Sequence, residues 1–386
     1  MKFIHTSDWH LGRMLYGHPL LPDQEHFLSQ NFFPLIEREQ PDAVLLSGDI
    51  YDRSVAPAAA IRLFDYTVNR LAEMGVPLLS ISGNHDGADR LAVGAPLLRK
   101  SGVVIAATPQ SCLEPYVLEK DGETVQVFTM PWMDVHTARA FLGESPDGDR
   151  LRTSHQCAEQ LIARMQQQFL PGACHLLLAH CFVAGSALSD SENPIFVGGS
   201  DEVHSEAFAP FDYVALGHLH APQRAGKNAR YSGSPLWYSV DEEHHRKSIT
   251  IVETGANGIS IREEAVVPQR WVRRLSGKFR ELLQQGKESP SLDLVDITLT
   301  DDGPVFLPAK QLRPYYPNLL SIHSQWMMRR QEETPFEAAD ARNTSRTQVL
   351  TRFLEDVCDT QLTEEDQSLF EETLRELHLR EGGKAL

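Results

Sequence analysis

The chain has 386 residues, 36 Lys and Arg against 53 Asp and Glu, and a net charge of −17. That balance excludes nucleic-acid binding by bulk electrostatics, because phosphate contacts need clustered basic residues; such a role must rest on local patches, metal ions or a partner. No run approaches the roughly 18 apolar residues of a membrane span, the first residues lack signal-peptide order, and five scattered cysteines form no disulfide framework, so a cytoplasmic chain without membrane association is expected.

The length exceeds the roughly 250–300 residues at which one hydrophobic core stops growing, which predicts a large domain with smaller additions. Short apolar runs predict strands at 2–6, 43–47, 77–82, 125–130, 175–179 and 213–216, with a late strand at 247–252. Helical patterns lie between them, at 23–39, 57–74 and 155–169, and a further one at 91–100. Strands alternating with helices predict α/β layering. After about residue 270 the pattern changes to a small α+β module. From about residue 335 the chain is acidic and helical. Val349, Leu350, Phe353, Leu354 and Val357 fall at helical spacing, and Thr363 can cap a second helix bearing Leu369, Phe370, Leu374 and Leu377. Those two helices suit either packing on the chain or docking on a partner.

Five short motifs share one placement: each follows an apolar strand. They are Asp8-x-His10, Gly48-Asp49, Gly83-Asn84-His85-Asp86, His180, and Gly217-His218-Leu219-His220. In open α/β sheets the ligand site lies beyond the carboxyl ends of strands, so five strand ends can converge there. Two Asp, one Asn and four His give mixed oxygen and nitrogen ligation without sulfur, which suits Mn²⁺, Fe or Zn²⁺. Residues two apart in an extended segment point the same way, so Asp8 with His10, and His218 with His220, would each present two groups to one side. Seven ligands are too many for one ion with open positions and suit two. A carboxylate such as Asp49 can bridge ions about 3.5–4 Å apart. Each motif alone arises readily by chance, and Gly-Asn is a common turn; five in order, each at a strand end, do not.

The joint pattern resembles the calcineurin-like metallophosphoesterase family over roughly residues 1–250. The resemblance implies a β-sandwich flanked by helices, a four-layer α/β fold with a two-metal site at one edge. It implies that Asp8, His10, Asp49 and His220 hold one metal and that Asp49, Asn84, His180 and His218 hold the other. His85 resembles the family's catalytic histidine, which contacts the scissile phosphate and can protonate the leaving oxygen, a role suited to imidazole. Residues 1–12, Ser47–Arg53 and Ser82–Asp86 are similar, nearly word for word, to the SbcD exonuclease family, and Ser189, Glu192 and Val197-Gly198-Gly199 are typical of it. Asp52 stands where archaeal and eukaryotic relatives often carry His, which points to the bacterial branch and leaves the support of His85 open.

That closer resemblance implies domains at 1–270 (nuclease), 271–340 (capping, DNA-contacting) and 341–386 (helical, partner-docking). It implies Mn²⁺ dependence, exonuclease and endonuclease action on DNA ends and hairpins in repair, and a homodimer joined to a coiled-coil ATPase of SbcC type in a heterotetramer. The residues agree independently on one point: no Gly-x4-Gly-Lys-[Ser/Thr] is present, so P-loop ATP binding must come from elsewhere. Arg13, Arg53 and Arg90 follow three of the motifs and are either phosphate contacts or solvated surface residues. Asp86 either orients a histidine or ties its turn. The alternative reading is a phosphoesterase of the same fold acting on a small nucleotide or a phosphoprotein; the module after residue 270 argues for the larger substrate.

Overall fold

The computed structural model describes residues 1–143, 150–192, 201–333, 346–358 and 360–380. It divides into two units, Met1–Val272 and Arg273–Leu386.

Two six-stranded sheets build the first unit. One has the order Ser260–Ala265, Ser248–Glu253, Lys2–Thr6, Ala43–Leu46, Leu78–Ile81, Val103–Ala106. The other runs Gln223–Arg224, Ala229–Tyr231, Tyr213–Gly217, Cys174–His180, Glu123–Met130, Tyr116–Lys120. The four strands from Lys2–Thr6 to Val103–Ala106 pair in parallel, as do Glu123–Met130, Cys174–His180 and Tyr213–Gly217. Parallel strands buried on both faces read as unbroken apolar runs, and Ala43–Leu46 is Ala-Val-Leu-Leu with every residue buried. Phe3, Leu45, Leu79, Val127, Leu176, Leu178 and Tyr213 of both sheets share one core cluster, which makes the pair a sandwich. On the outer face of the second sheet, Phe128, Met130 and Leu177 pack with Leu161 and Met165 of helix Ser154–Gln166. The architecture is helix, sheet, sheet, helix, as the α/β reading expects.

Two helices differ from expectation. The run from residue 23 to 39 is helix Leu21–His26, a π turn Phe27–Phe32 and helix Phe33–Glu39. Pro34 lacks an amide donor, and a widened turn accommodates the missing bond. The stretch 91–100 is no single helix but Ala88–Leu91, then Ala95–Leu98, broken where Gly94 takes φ +76°. Cys112, Cys157, Cys174 and Cys181 are free thiols.

The second unit has its own three-stranded sheet, Val272–Gly277, Leu294–Leu299 and Leu319–Ser324. Leu282, Val295, Ile297, Leu312, Tyr316 and Leu319 form its core. Two C-terminal helices follow, Arg346–Cys358 and Glu364–Arg380. Thr363 caps the second: its Oγ1 accepts from Asp366 N at 3.2 Å while Asp366 Oδ2 accepts from Thr363 N at 3.2 Å. Val349, Phe353 and Leu369 stay exposed. The expected boundary at 340/341 lies outside the described residues, as do Val197-Gly198-Gly199. No helix among the described residues is long and apolar enough to cross a membrane.

Candidate metal centre

Every candidate ligand sits just beyond, or at the end of, a parallel strand, and contacts link them into one cluster. His10 Nε2 lies 3.2 Å from His220 Nε2 and 3.5 Å from Asp49 Oδ2. The same Asp49 Oδ2 lies 3.5 Å from His180 Nε2. Asn84 Oδ1 is 2.9 Å from His180 Nε2 and 3.1 Å from His218 Nδ1. Asp8 shares one potential metal group with His10 and His220 and another with Asp49 and His180. All seven ligand candidates are therefore brought together, with Asp8 and Asp49 central and Asn84, His85 and His218 toward the accessible side.

The backbone that aims them is not extended. Asp8, His10, Asp49 and His218 have φ of 53°, 43°, 48° and 110°. These left-handed conformations are costly for residues with a Cβ and collect at functional sites. The expectation that side chains two apart point together because the segment is extended is thus corrected: tight turns do the aiming. Trp9 anchors the first turn. It is buried, bonds Thr6 Oγ1 through Nε1 at 2.9 Å, and meets Phe27 and Phe32 edge-on. The motif glycines are steric necessities. A Cβ on Gly48 would collide with the His180 ring, on Gly83 with the Asp49 carboxylate, and on Gly217 with the Ser47 carbonyl.

The electrostatics fit a cation. Burial holds His180 down to about 3 and His220 to about 4, and pushes His10 and His218 well below the usual histidine range, so all four are neutral at pH 7. Burial raises Asp49 to about 6, and burial with the neighbouring Asp49 raises Asp8 well above the carboxylate range. His180 donates Nδ1–H to the Ser47 carbonyl at 2.8 Å. Its Nε2 therefore turns a lone pair toward Asn84 Oδ1 and Asp49 Oδ2, which are also acceptors. Acceptors facing acceptors in a buried site are unfavourable until a positive charge lies among them. The donor set, carboxylate, amide oxygen and imidazole, suits a hard or borderline divalent ion.

His85 is half-buried, its ring centroid 4.7 Å from that of His10. Its backbone N–H donates to Asp49 Oδ1 at 2.9 Å. Its Nδ1 meets the backbone carbonyl of Asp52 at 3.0 Å, which answers what supports it. Asp86 ties turns rather than orienting a histidine: it accepts from the amides of Gly83 (2.9 Å), Ile50 (3.1 Å) and Tyr51 (2.9 Å). Arg13 pairs with Asp52 at 3.0 Å and lies over the Tyr238 ring. Arg90 donates to the Ser54 carbonyl at 2.6 Å, and Arg53 is largely exposed beside Asp52.

The sequence reading did not single out Ser191, Glu242, Lys247 or Tyr238, which surround His10 and His220. They belong to no motif, and no local signal in the sequence marks them. Glu192 was noted by resemblance alone, and it accepts from the His220 amide.

Comparisons with known proteins give the family. A family model described as calcineurin-like phosphoesterase matches residues 1–222, and one described as type 5 capsule protein repressor C-terminal domain matches residues 268–357. The chain is 32% identical to the SbcD component of the nuclease SbcCD from Staphylococcus epidermidis, over 83% of this chain and 85% of that protein. It is 32% identical to the protein of the same name from Staphylococcus saprophyticus, over 84% and 85%. Among solved structures, a family 1 β-glucosidase from Thermotoga maritima aligns over 84% of this chain and 87% of its own at 11% identity, but the TM-score of 0.22 carries no argument.

Proposed function

Since the chain belongs to the calcineurin-like phosphoesterase family, and within it to the SbcD nucleases, we propose that it is the Mn²⁺-dependent DNA nuclease subunit of an SbcC–SbcD-type complex in DNA repair, recombination and replication. It would act as a double-strand exonuclease and as an endonuclease on single strands and hairpins. The observation that carries the reading is Asp49 Oδ2, placed 3.5 Å from both His10 and His180, where one carboxylate serves two groups of ligands.

In this reading Asp8, His10, Asp49 and His220 hold one divalent ion and Asp49, Asn84, His180 and His218 the other. Such a pair supplies charge that neutralises a phosphodiester and lowers the pKa of an attacking water. The chain does the rest. The neutral imidazoles keep lone pairs available at pH 7. The Gly48, Gly83 and Gly217 backbones let the loops close without displacing ligands. His85, with Nδ1–H against the Asp52 carbonyl, has Nε2 left to contact the scissile phosphate and, in the imidazolium form, to give a proton to the leaving oxygen.

The second unit fits a capping role on DNA. Arg273, Arg274, Lys278 and Arg280 are exposed within one short stretch of an otherwise acidic chain, and phosphate contacts need such local clusters. The C-terminal helices, with Val349, Phe353 and Leu369 exposed, suit docking on the coiled coil of an SbcC-type ATPase, with a homodimer completing a heterotetramer. The test is cleavage of a hairpin-ended duplex with Mn²⁺, with and without a purified SbcC-type partner and ATP. Cleavage stimulated by partner and ATP supports the reading. Hydrolysis of a small phosphodiester without any DNA cleavage would move the substrate to a small nucleotide or phosphoprotein.

A further inference from the structure

His220 has two faces. Its Nε2 meets His10 Nε2 in the metal group, while its Nδ1 lies 2.6 Å from Ser191 Oγ and 3.2 Å from Glu242 Oε1. Ser191 Oγ and Glu242 Oε1 also touch each other. A hydroxyl has one proton and a carboxylate none. If His220 Nδ1 carries the proton, it donates to Glu242 while Ser191 donates to the same oxygen, and every contact is attractive. If Nδ1 is bare, Ser191 can satisfy only one neighbour, and Nδ1 faces Glu242 Oε1 as acceptor against acceptor. The arrangement selects Nδ1–H and leaves the lone pair on Nε2, the atom among the ligands.

Glu242 is itself held. It and Lys247 are fully buried, and Lys247 Nζ meets Glu242 Oε2 at 2.6 Å, Ser234 Oγ at 2.8 Å and the His220 carbonyl at 3.0 Å. All three ammonium protons are used, and the ion pair grips His220 at ring and backbone. A buried ion pair adds little stability over an apolar pair of equal volume, so its place behind a ligand calls for another role. Carboxylates behind metal-bound imidazoles fix the tautomer and raise ligand basicity.

We propose that Glu242, balanced by Lys247, is a positioning residue that holds His220 in its Nδ1–H tautomer and so sets the affinity of the site for its cation. This rests on the metal-centre reading. The first test reads the wild-type protein: ¹⁵N-histidine NMR of the full, metal-free chain, with the His220 resonance assigned by its loss in His220→Asn. Protonation on Nδ1 is expected; protonation on Nε2 would overturn the proposal. The second is Mn²⁺ titration calorimetry on Glu242→Leu/Lys247→Met, which removes both charges without stranding either. A fold-competent double variant should bind Mn²⁺ about 10–100-fold more weakly, with Glu242→Gln/Lys247→Met partly rescued because its amide oxygen still accepts. Wild-type affinity in the Leu/Met variant would refute it. If that variant does not fold, the NMR result decides alone. Failure of the wild type to bind Mn²⁺ would instead overturn the metal centre, and this proposal with it.

Discussion

The Nδ1 of His85 lies 3.0 Å from the backbone carbonyl oxygen of Asp52. The support of this ring therefore does not depend on the side chain at position 52. His85→Ala should lower turnover on DNA by roughly 10²–10⁴-fold, the usual worth of a positioned acid or base. Metal content by mass spectrometry should stay at the wild-type value. Asp52→Asn keeps the carbonyl and loses the carboxylate's charge beside Arg13, Arg53 and His10, so its loss of turnover should be smaller than that of His85→Ala. Metal loss in His85→Ala would make His85 a ligand and refute the assigned role.

Gly83 sits where any side chain would overlap the Asp49 carboxylate. Gly83→Ala should displace that carboxylate and weaken Mn²⁺ binding, read by calorimetry, while the folded core persists. Gly217→Ala meets the Ser47 backbone carbonyl, a closer backbone approach than a Cβ at Gly83 would make to the Asp49 amide nitrogen. Overpacking of that kind costs about 1–3 kcal/mol or more, so it should show as a lowered denaturation midpoint. A Gly83→Ala chain with unchanged affinity would show that the loop yields.

These two cases show what was legible. Strand ends and their polar residues could be read from Val44-Leu45-Leu46 before Gly48-Asp49, or Leu176–Ala179 before His180, because a doubly buried strand is an unbroken apolar run. The four-layer fold and the convergence of Asp8, His10, Asp49, Asn84, His180, His218 and His220 followed from that placement and from the resemblance. Left-handed φ at Asp8, His10, Asp49 and His218 was not legible, since no local signal marks a turn that only the finished site stabilises. Glu242 and Lys247 were not legible because their partner, His220, is distant in sequence. The break at Gly94 was legible in principle and outweighed by the apolar pattern around it.

Glu39 gives a pH test away from the site. Hydrogen bonding to Lys2, then to Arg38 and Arg262, holds its carboxyl at about 2 against an ordinary 4.5, although burial opposes this. A folded pKa below the unfolded one stabilises above the unfolded value, and that stability is lost as pH falls through the folded one. Glu39→Gln should lower Tm at neutral pH, and its gap from wild type should shrink from about pH 4.5 toward pH 2. A gap constant across that range would show that the ion pairs contribute nothing.

Truncation after residue 345 removes both C-terminal helices. Hydrolysis of a small phosphodiester should survive, since no candidate ligand is lost, while binding to an SbcC-type partner, read by co-sedimentation, should fall. Full partner binding by the shortened chain would refute the docking role.

In the proposed centre one carboxylate, Asp49, joins two groups of ligands around two ions. Anomalous scattering at the manganese edge, from crystals soaked in Mn²⁺, tests it most directly. Two peaks per chain are expected, one contacted by His10 and His220 and the other by Asn84, His180 and His218, with Asp49 touching both and both lost in Asp49→Ala. A single peak, or two peaks that persist without the Asp49 carboxylate, would contradict it.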